Sequence, residues 1–172
     1  MAAENNSDKS DAVDENLAAV LGRIPSGLFI ATASDGAGRE TGMLASWVMQ
    51  SGFDPPTVTV AVNRKRYLID WLGQTKAMVL HVLGENQNDL LKHFGRGFEP
   101  DESAFEGLEI DRSANGLPVL PQTLGHLEGQ IIDSVDVPDH TIFLLKITSG
   151  DKGTLFDDAA PFVHIRKHGL NY

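Results

Sequence analysis

Cysteine is absent from the 172 residues of this chain. Its absence excludes disulfides, thiolate zinc sites, iron–sulfur clusters and thiol nucleophiles. Basic residues are scarce, since 14 lysines and arginines face 24 acidic residues and the formal net charge is −10. A broad nucleic-acid surface is therefore not expected, because neutralising phosphates needs clustered cations. No apolar run approaches the roughly 20 residues that span a bilayer, so no membrane segment is expected.

The amino-terminal stretch MAAENNSDKSD is polar and acidic, which is not typical of a signal or transit peptide. A cytoplasmic protein is therefore expected. Residues 1–13 are predicted to be a disordered tail, because they hold almost nothing that could anchor a core. Residues 14–172 have a length that suits one domain.

Hydrophobic periodicity predicts a mainly β chain with a few helices. Helical spacing is found at 14–24, 67–72 and 85–94. Runs typical of strands occur at 28–33, 41–53, 57–62, 77–83, 125–135, 141–148 and 162–166. Strands joined by hairpins and corners indicate an antiparallel barrel or sandwich with peripheral helices.

Three consecutive cations, Arg64, Lys65 and Arg66, stand out in this acidic chain. They lie where a predicted strand ends and a predicted helix begins. Free N–H groups at a helix start attract phosphate, and arginine adds bidentate hydrogen bonds to its oxygens. The triplet thus indicates a phosphate monoester site, although the pattern also fits a solvated turn.

Two further features are candidates for ligand contact. The segment 41–47 offers small residues and backbone amides, and Gly42 would allow a flat ligand close to the backbone. The alternative is a strand with a bulge. His140 follows Asp139 at a strand entrance, where it could donate to a ligand oxygen or simply cap the turn. No metal site is expected, because the histidines form no cluster with carboxylates.

Several motifs taken in order resemble the flavin reductase-like family of FMN-binding split barrels. They are GLFIAT at 27–32, TGMLASWV at 41–48, FDPP at 53–56, VAVNRKR at 60–66, LLKHF at 90–94 and DHTIF at 139–143. The ending at 163–169 is similar to the flavin reductase modules of cyanobacterial flavodiiron proteins. The resemblance covers roughly residues 16–172.

This resemblance implies a split β-barrel that works as a homodimer, with FMN at the interface. The cofactor-binding residues that it implies are Met43, Leu44, Ala45, Ser46 and Trp47 near the ring, Asn63, Arg64, Lys65 and Arg66 at the phosphate, and Phe94 beside a loop that closes over the flavin. It implies that His140 is the catalytic residue, near the flavin ring and the nicotinamide. The family often has Gly-Asp-His where this chain has Pro138-Asp139-His140, which stiffens the turn.

The expected activity is hydride transfer from NAD(P)H to FMN, with a flavin-dependent acceptor protein as a further partner. Such chemistry needs no dedicated nucleophile, because the flavin carries the reaction. The alternatives are a non-catalytic FMN-binding electron carrier or sensor, a pyridoxamine-phosphate-oxidase-like flavoprotein, and a cofactor-free dimeric binding module.

Overall fold

The computed structural model describes residues 14–170. The predicted disordered tail, 1–13, lies outside the described residues. The chain divides into two compact units, and Ser26–His164 forms the larger one. The described parts of the smaller unit are 14–25 and 165–170.

The smaller unit is built on helix α1 (Glu15–Gly22). The carboxylate of Asp14 accepts hydrogen bonds from the backbone N–H groups of Asn16 and Leu17, at 2.9 and 3.0 Å. The predicted N-cap is therefore confirmed. The Arg166 N–H donates to the last carbonyl of α1, which ties the carboxyl-terminal stretch to the helix end.

The larger unit is mostly β, as predicted. Its strands are β1 (Ser26–Gly27), β2 (Phe29–Ser34), β3 (Glu40–Ala45), β4 (Val48–Phe53), β5 (Pro56–Asn63), β6 (Ala77–Val82), β7 (Asp111–Arg112), β8 (Pro118–Val119), β9 (Gly125–Asp136), β10 (His140–Lys152) and β11 (Val163–His164). Its helices are α2 (Leu68–Thr75) and α3 (Asn88–Gly95). Seven strands form one antiparallel sheet in the order β3-β2-β6-β9-β10-β5-β4, while β1 pairs with β11 and β7 with β8.

The prediction of one long strand over 41–53 is wrong. The chain leaves the sheet at Ser46 and Trp47, and the two halves, β3 and β4, form opposite edges of the seven-stranded sheet. Because two residues connect these edges, the sheet must curl until the edges meet, as in a split barrel. The Trp47 carbonyl accepts a hydrogen bond from the Ala61 N–H at 3.0 Å, which holds the start of β4 against β5. We call the Ser46–Trp47 link the seam.

Side-chain alternation fills the barrel. Along β5 the buried residues Val58, Val60 and Val62 alternate with partly exposed ones, and Phe143 and Leu145 of β10 join them in one core. A second core packs α3 against residues of β2 and the β6 exit. Among residues 14–170, no helix combines the length and the apolar character needed to cross a bilayer.

Candidate functional site

The three cations occupy a tight turn between β5 and α2. Asn63, the last residue of β5, shapes this turn: its side-chain oxygen accepts from the Lys65 N–H at 2.9 Å and its carbonyl accepts from the Arg66 N–H at 3.0 Å. The Arg64 N–H donates to the Asp139 carbonyl at 2.9 Å, which joins the turn to the entrance of β10. All three cationic side chains are exposed.

The three cations differ in their partners. Arg64 lies 3.8 Å from a carboxylate oxygen of Asp136, and both side chains are largely exposed. Within residues 14–170, Lys65 and Arg66 form no ion pair. Two positive charges of the turn are thus available to an anion, and the third shares a carboxylate.

A glycine lies directly against Arg66. Gly97, in the loop after α3, has φ +75°, and a Cβ at this position would lie 2.6 Å from Nη1 of Arg66. Only glycine permits both this backbone conformation and this approach. The sequence analysis recognised the loop as flexible but missed this contact, whose only sequence signal was the glycine itself.

The edge strand β3 contributes backbone rather than polar side chains. The side chains of Met43 and Ala45 are buried in the barrel core, and Leu44 packs against the second core. Of the described strands, β3 pairs only with β2, so its other edge carries backbone N–H and C=O groups free of a neighbouring strand. Ser46 follows at the seam and is buried. These four residues therefore offer a ligand an edge of hydrogen-bonding groups.

His140 and Trp47 form a stacked pair beside the turn. His140 pairs with Asn63 across the β5–β10 ladder, and its ring centroid lies 4.8 Å from the Trp47 ring at a tilt of 41°. His140 is only 3% exposed, and neither of its ring nitrogens has a hydrogen-bond partner. Nδ1 lies 3.0 Å from a carboxylate oxygen of Asp139 without the alignment of a hydrogen bond. The imidazole nevertheless lowers the pKa of the Asp139 carboxyl below its ordinary value, chiefly as the nearby donor.

Phe94 is a core residue. Its ring is 1% exposed, and a Cβ at Gly42 of β3 would lie 2.5 Å from its edge. Phe94 thereby anchors α3 against β3, and the loop that follows α3 carries Gly97 to Arg66. The expectation that Phe94 itself contacts a ligand stays a prediction.

A hydroxyl pair that the sequence analysis missed connects the two parts of the site. Thr41 Oγ1 of β3 lies 2.8 Å from the Tyr67 hydroxyl, which precedes α2. This hydrogen bond fixes the cationic turn relative to the edge strand. The predicted residues Met43–Trp47, Asn63–Arg66 and His140 thus lie on neighbouring segments, although they are far apart in sequence.

The arrangement fits a planar ligand with a terminal phosphate. Unpaired cations suit the phosphate, the edge of β3 suits ring nitrogens and oxygens, and an unpartnered buried imidazole suits a ring substituent. These are the demands of FMN. Within residues 14–170, no three histidine or acidic side chains are placed to hold a metal ion.

Comparison with known proteins gives a family match. A family model described as flavin reductase like domain matches residues 21–169. Diflavin flavoprotein A 1 of Synechocystis sp. is 35% identical over 162 residues, which cover 94% of this chain and 28% of the relative. The chain therefore spans about a quarter of the length of the curated relatives it matches.

Solved structures share the fold. The NADH:FAD oxidoreductase of Streptomyces globisporus superposes with a TM-score of 0.79 at 22% identity, covering 96% of this chain and 95% of that one. The styrene monooxygenase flavin reductase of Pseudomonas putida gives 0.72 at 22% identity, covering 86% and 91%. These matches agree with the split barrel described above.

Proposed function

We propose, because this chain belongs to the flavin reductase-like domain family, that it binds FMN and is an NAD(P)H-dependent flavin reductase. The observation that carries the proposal is the cationic turn, where Lys65 and Arg66 lack carboxylate partners within residues 14–170 and adjoin the seam. When bound, FMN would supply the hydride-accepting chemistry. The work left to the protein is binding, orientation and exclusion of water.

Each residue of the turn has a separate task in this proposal. Asn63 fixes the backbone of the turn through its side chain and carbonyl. Arg66, placed by Gly97, offers paired N–H donors to phosphate oxygens, while Lys65 adds a mobile point charge. Arg64 contributes less, because Asp136 competes for its guanidinium.

The ring end of the site rests on β3 and on the histidine pair. Met43, Leu44, Ala45 and Ser46 would hold the isoalloxazine through the free backbone edge, whose groups are fixed before a ligand arrives. His140, kept dry beneath Trp47, would hydrogen-bond a polar ring substituent. A hydrogen bond made in such a dry site is stronger than one made in water.

Substitution of Arg66 tests the phosphate site. Arg66→Ala should raise the Kd for FMN by at least about tenfold, the effect of losing a charge-assisted hydrogen bond. Lys92→Ala is the matched control, since Lys92 is an exposed cation on α3 outside the turn. Fluorescence titration measures both, and equal FMN affinity in wild type and Arg66→Ala would reject Arg66 as a phosphate ligand.

Anaerobic reduction tests the activity. Bleaching of the FMN-loaded protein by NADH or NADPH is the expected result. Bleaching by pyridoxamine phosphate alone would indicate the oxidase-like alternative, and no FMN binding would indicate a cofactor-free module. The second candidate, an electron carrier or sensor, is favoured by the covered imidazole of His140, and it predicts no bleaching by either nucleotide.

The outer face of the sheet supports the homodimer. Met49, Thr59 and Leu144 are cross-strand partners on β4, β5 and β10, and Ile142 pairs with Val135 of β9. Their side chains share the face opposite the barrel core, and Met49 is 69% exposed. An exposed apolar sheet face of this kind is typical of a protein interface.

Charge substitution tests this dimer. Met49→Glu should give a monomer, because it places a charge in the apolar interface. Gln50→Glu is the matched control, since the neighbouring side chain lies on the other face of β4. Sedimentation velocity reports both states, and a Met49→Glu dimer would refute this interface. The proposal further includes a cytoplasmic location and a flavin-dependent protein as electron acceptor.

A further inference from the structure

The buried imidazole of His140 lacks partners that its surroundings could have supplied. Both ring nitrogens are shielded from water and neither forms a hydrogen bond. A buried polar group without a partner costs free energy, and native structures rarely retain one without reason. A ligand that reaches His140 would therefore recover a hydrogen bond that the protein alone does not make.

The access route to this imidazole is occupied by Trp47. The indole packs on the imidazole at a centroid distance of 4.8 Å, yet Trp47 itself is 37% exposed. Trp47 is thus the outer ring of the pair and His140 the inner ring. A ligand approaching from solvent meets the indole first.

The backbone holds His140 in place and leaves the indole as the movable part. The His140 carbonyl accepts from the Val137 N–H at 2.9 Å, and its strand is paired with Asn63. The backbone of Trp47 is also held, through the Ala61 N–H, but its side chain projects from the two-residue seam at the sheet edge. Rotation of one side chain would uncover the imidazole without disturbing the ladder.

We propose that Trp47 is a positioning residue whose indole holds the place of a planar ligand ring on His140 and yields it when that ligand binds. This inference rests on the proposed function and specifies how the same site admits its ligand. The ligand must offer a flat face that replaces the indole and a polar substituent that reaches the imidazole. A heteroaromatic ring with a carboxamide or ring carbonyl has both, and nicotinamide and isoalloxazine share this chemistry.

Indole resonances test the displacement directly. The chain has two tryptophans, and Trp71 is buried, so Trp71→Phe leaves Trp47 as the single indole N–H signal. Saturating FMN and then NAD⁺ are added separately to ¹⁵N-labelled protein, with inorganic phosphate as the control for charge alone. A shift with FMN assigns the displacing ring to isoalloxazine, and a shift only with NAD⁺ assigns it to nicotinamide. An indole signal that moves with neither probe, or equally with phosphate, overturns the proposal.

Chemical accessibility of the imidazole gives a second readout that needs no ligand. Diethyl pyrocarbonate acylates exposed imidazole nitrogens, and peptide mass spectrometry locates the product. Trp47→Ala should raise the modification rate of His140 by about tenfold, on the order of the change expected when a closed group becomes open. Trp47→Phe should restore the wild-type rate, and Trp71→Phe should not change it. Equal rates in wild type and Trp47→Ala would overturn the cover.

Failure of the proposed function has a different signature. Absence of FMN binding by absorbance would reject the flavin site whatever the accessibility of His140. Normal FMN binding and normal bleaching by nucleotide, together with an unmoved Trp47 signal, would reject only the displacement.

Discussion

Two buried histidines in the same sheet have different surroundings. His81 lies inside β6, is 0% exposed, and has Nδ1 3.0 Å from the Ile30 carbonyl of β2. Burial lowers its pKa from 6.5 to about 4; the hydrogen bond with Ile30 opposes this shift, and the charge on His126 adds to it. His140 begins β10, lies under an indole, and adjoins three cations.

Burial alone therefore does not identify a functional histidine. Each residue has a buried Nε2 without a partner, but His81 uses its other nitrogen to bridge two strands. His140 uses neither nitrogen in a hydrogen bond. The comparison indicates that His81 serves the fold and that His140 is available for a ligand.

Replacing each imidazole by an apolar ring should separate the two roles. His81→Phe should lower the free energy of unfolding by about 2–4 kcal/mol, because it strands the Ile30 carbonyl and overfills a closed core. His140→Phe should change it by less than about 1 kcal/mol, since no hydrogen bond is lost. Urea denaturation measures both, and equal losses would contradict the distinction.

The pH dependence of stability should belong to His81. Its folded pKa, about 4, lies below the unfolded value of 6.5, so the unfolded chain binds more protons between these limits. Stability is full above pH 6.5 and falls as the pH drops towards 4, by on the order of 3 kcal/mol for this shift. Unfolding curves across this window should keep the slope in His140→Phe and lose most of it in His81→Phe. A wild-type slope in His81→Phe would show that other groups cause it.

Two glycines with the same backbone conformation sharpen the assignment of the site. Gly97 and Gly107 have φ +75° and +78°, but a Cβ would meet Arg66 only at Gly97, and at Gly107 nothing lies within 4 Å. Gly97→Ala should weaken FMN binding by about tenfold because it displaces the guanidinium, whereas Gly107→Ala carries only the shared backbone strain. Titration with FMN measures the difference. Similar affinities for the two variants would show that Gly97 does not position Arg66.

The sequence predicted the fold well where local pattern decides it. Alternation along β5 and helical spacing in α2 and α3 are local, and the family resemblance supplied the split barrel. The break between β3 and β4 was missed because Ser46 and Trp47 continue an apolar run without proline or glycine. The strand β10 also continues to Lys152, beyond the predicted end at 148, because pairing with β9 outweighs the weak strand preference of Gly150 and Asp151.

The candidate site was predicted as residues but not as contacts. Arg66 was identified from its charge, yet its approach to Gly97 depends on how α3 docks against β3. Asp136 as a competitor for Arg64 was missed for the same reason, since the pair joins the end of β9 to the end of β5. Contacts between segments distant in sequence leave no periodic signal in either segment.

The seam has a mechanical consequence. Ladder hydrogen bonds hold every neighbouring pair of strands in the sheet, but β3 and β4 are coupled through two peptide units. The slack in that short splice sets how far the rim of β3 can stand from the indole at its end. Lengthening it by even a few residues would leave all the ladders intact and yet widen the crevice, so the tolerance of the whole site is written into one of its shortest connections.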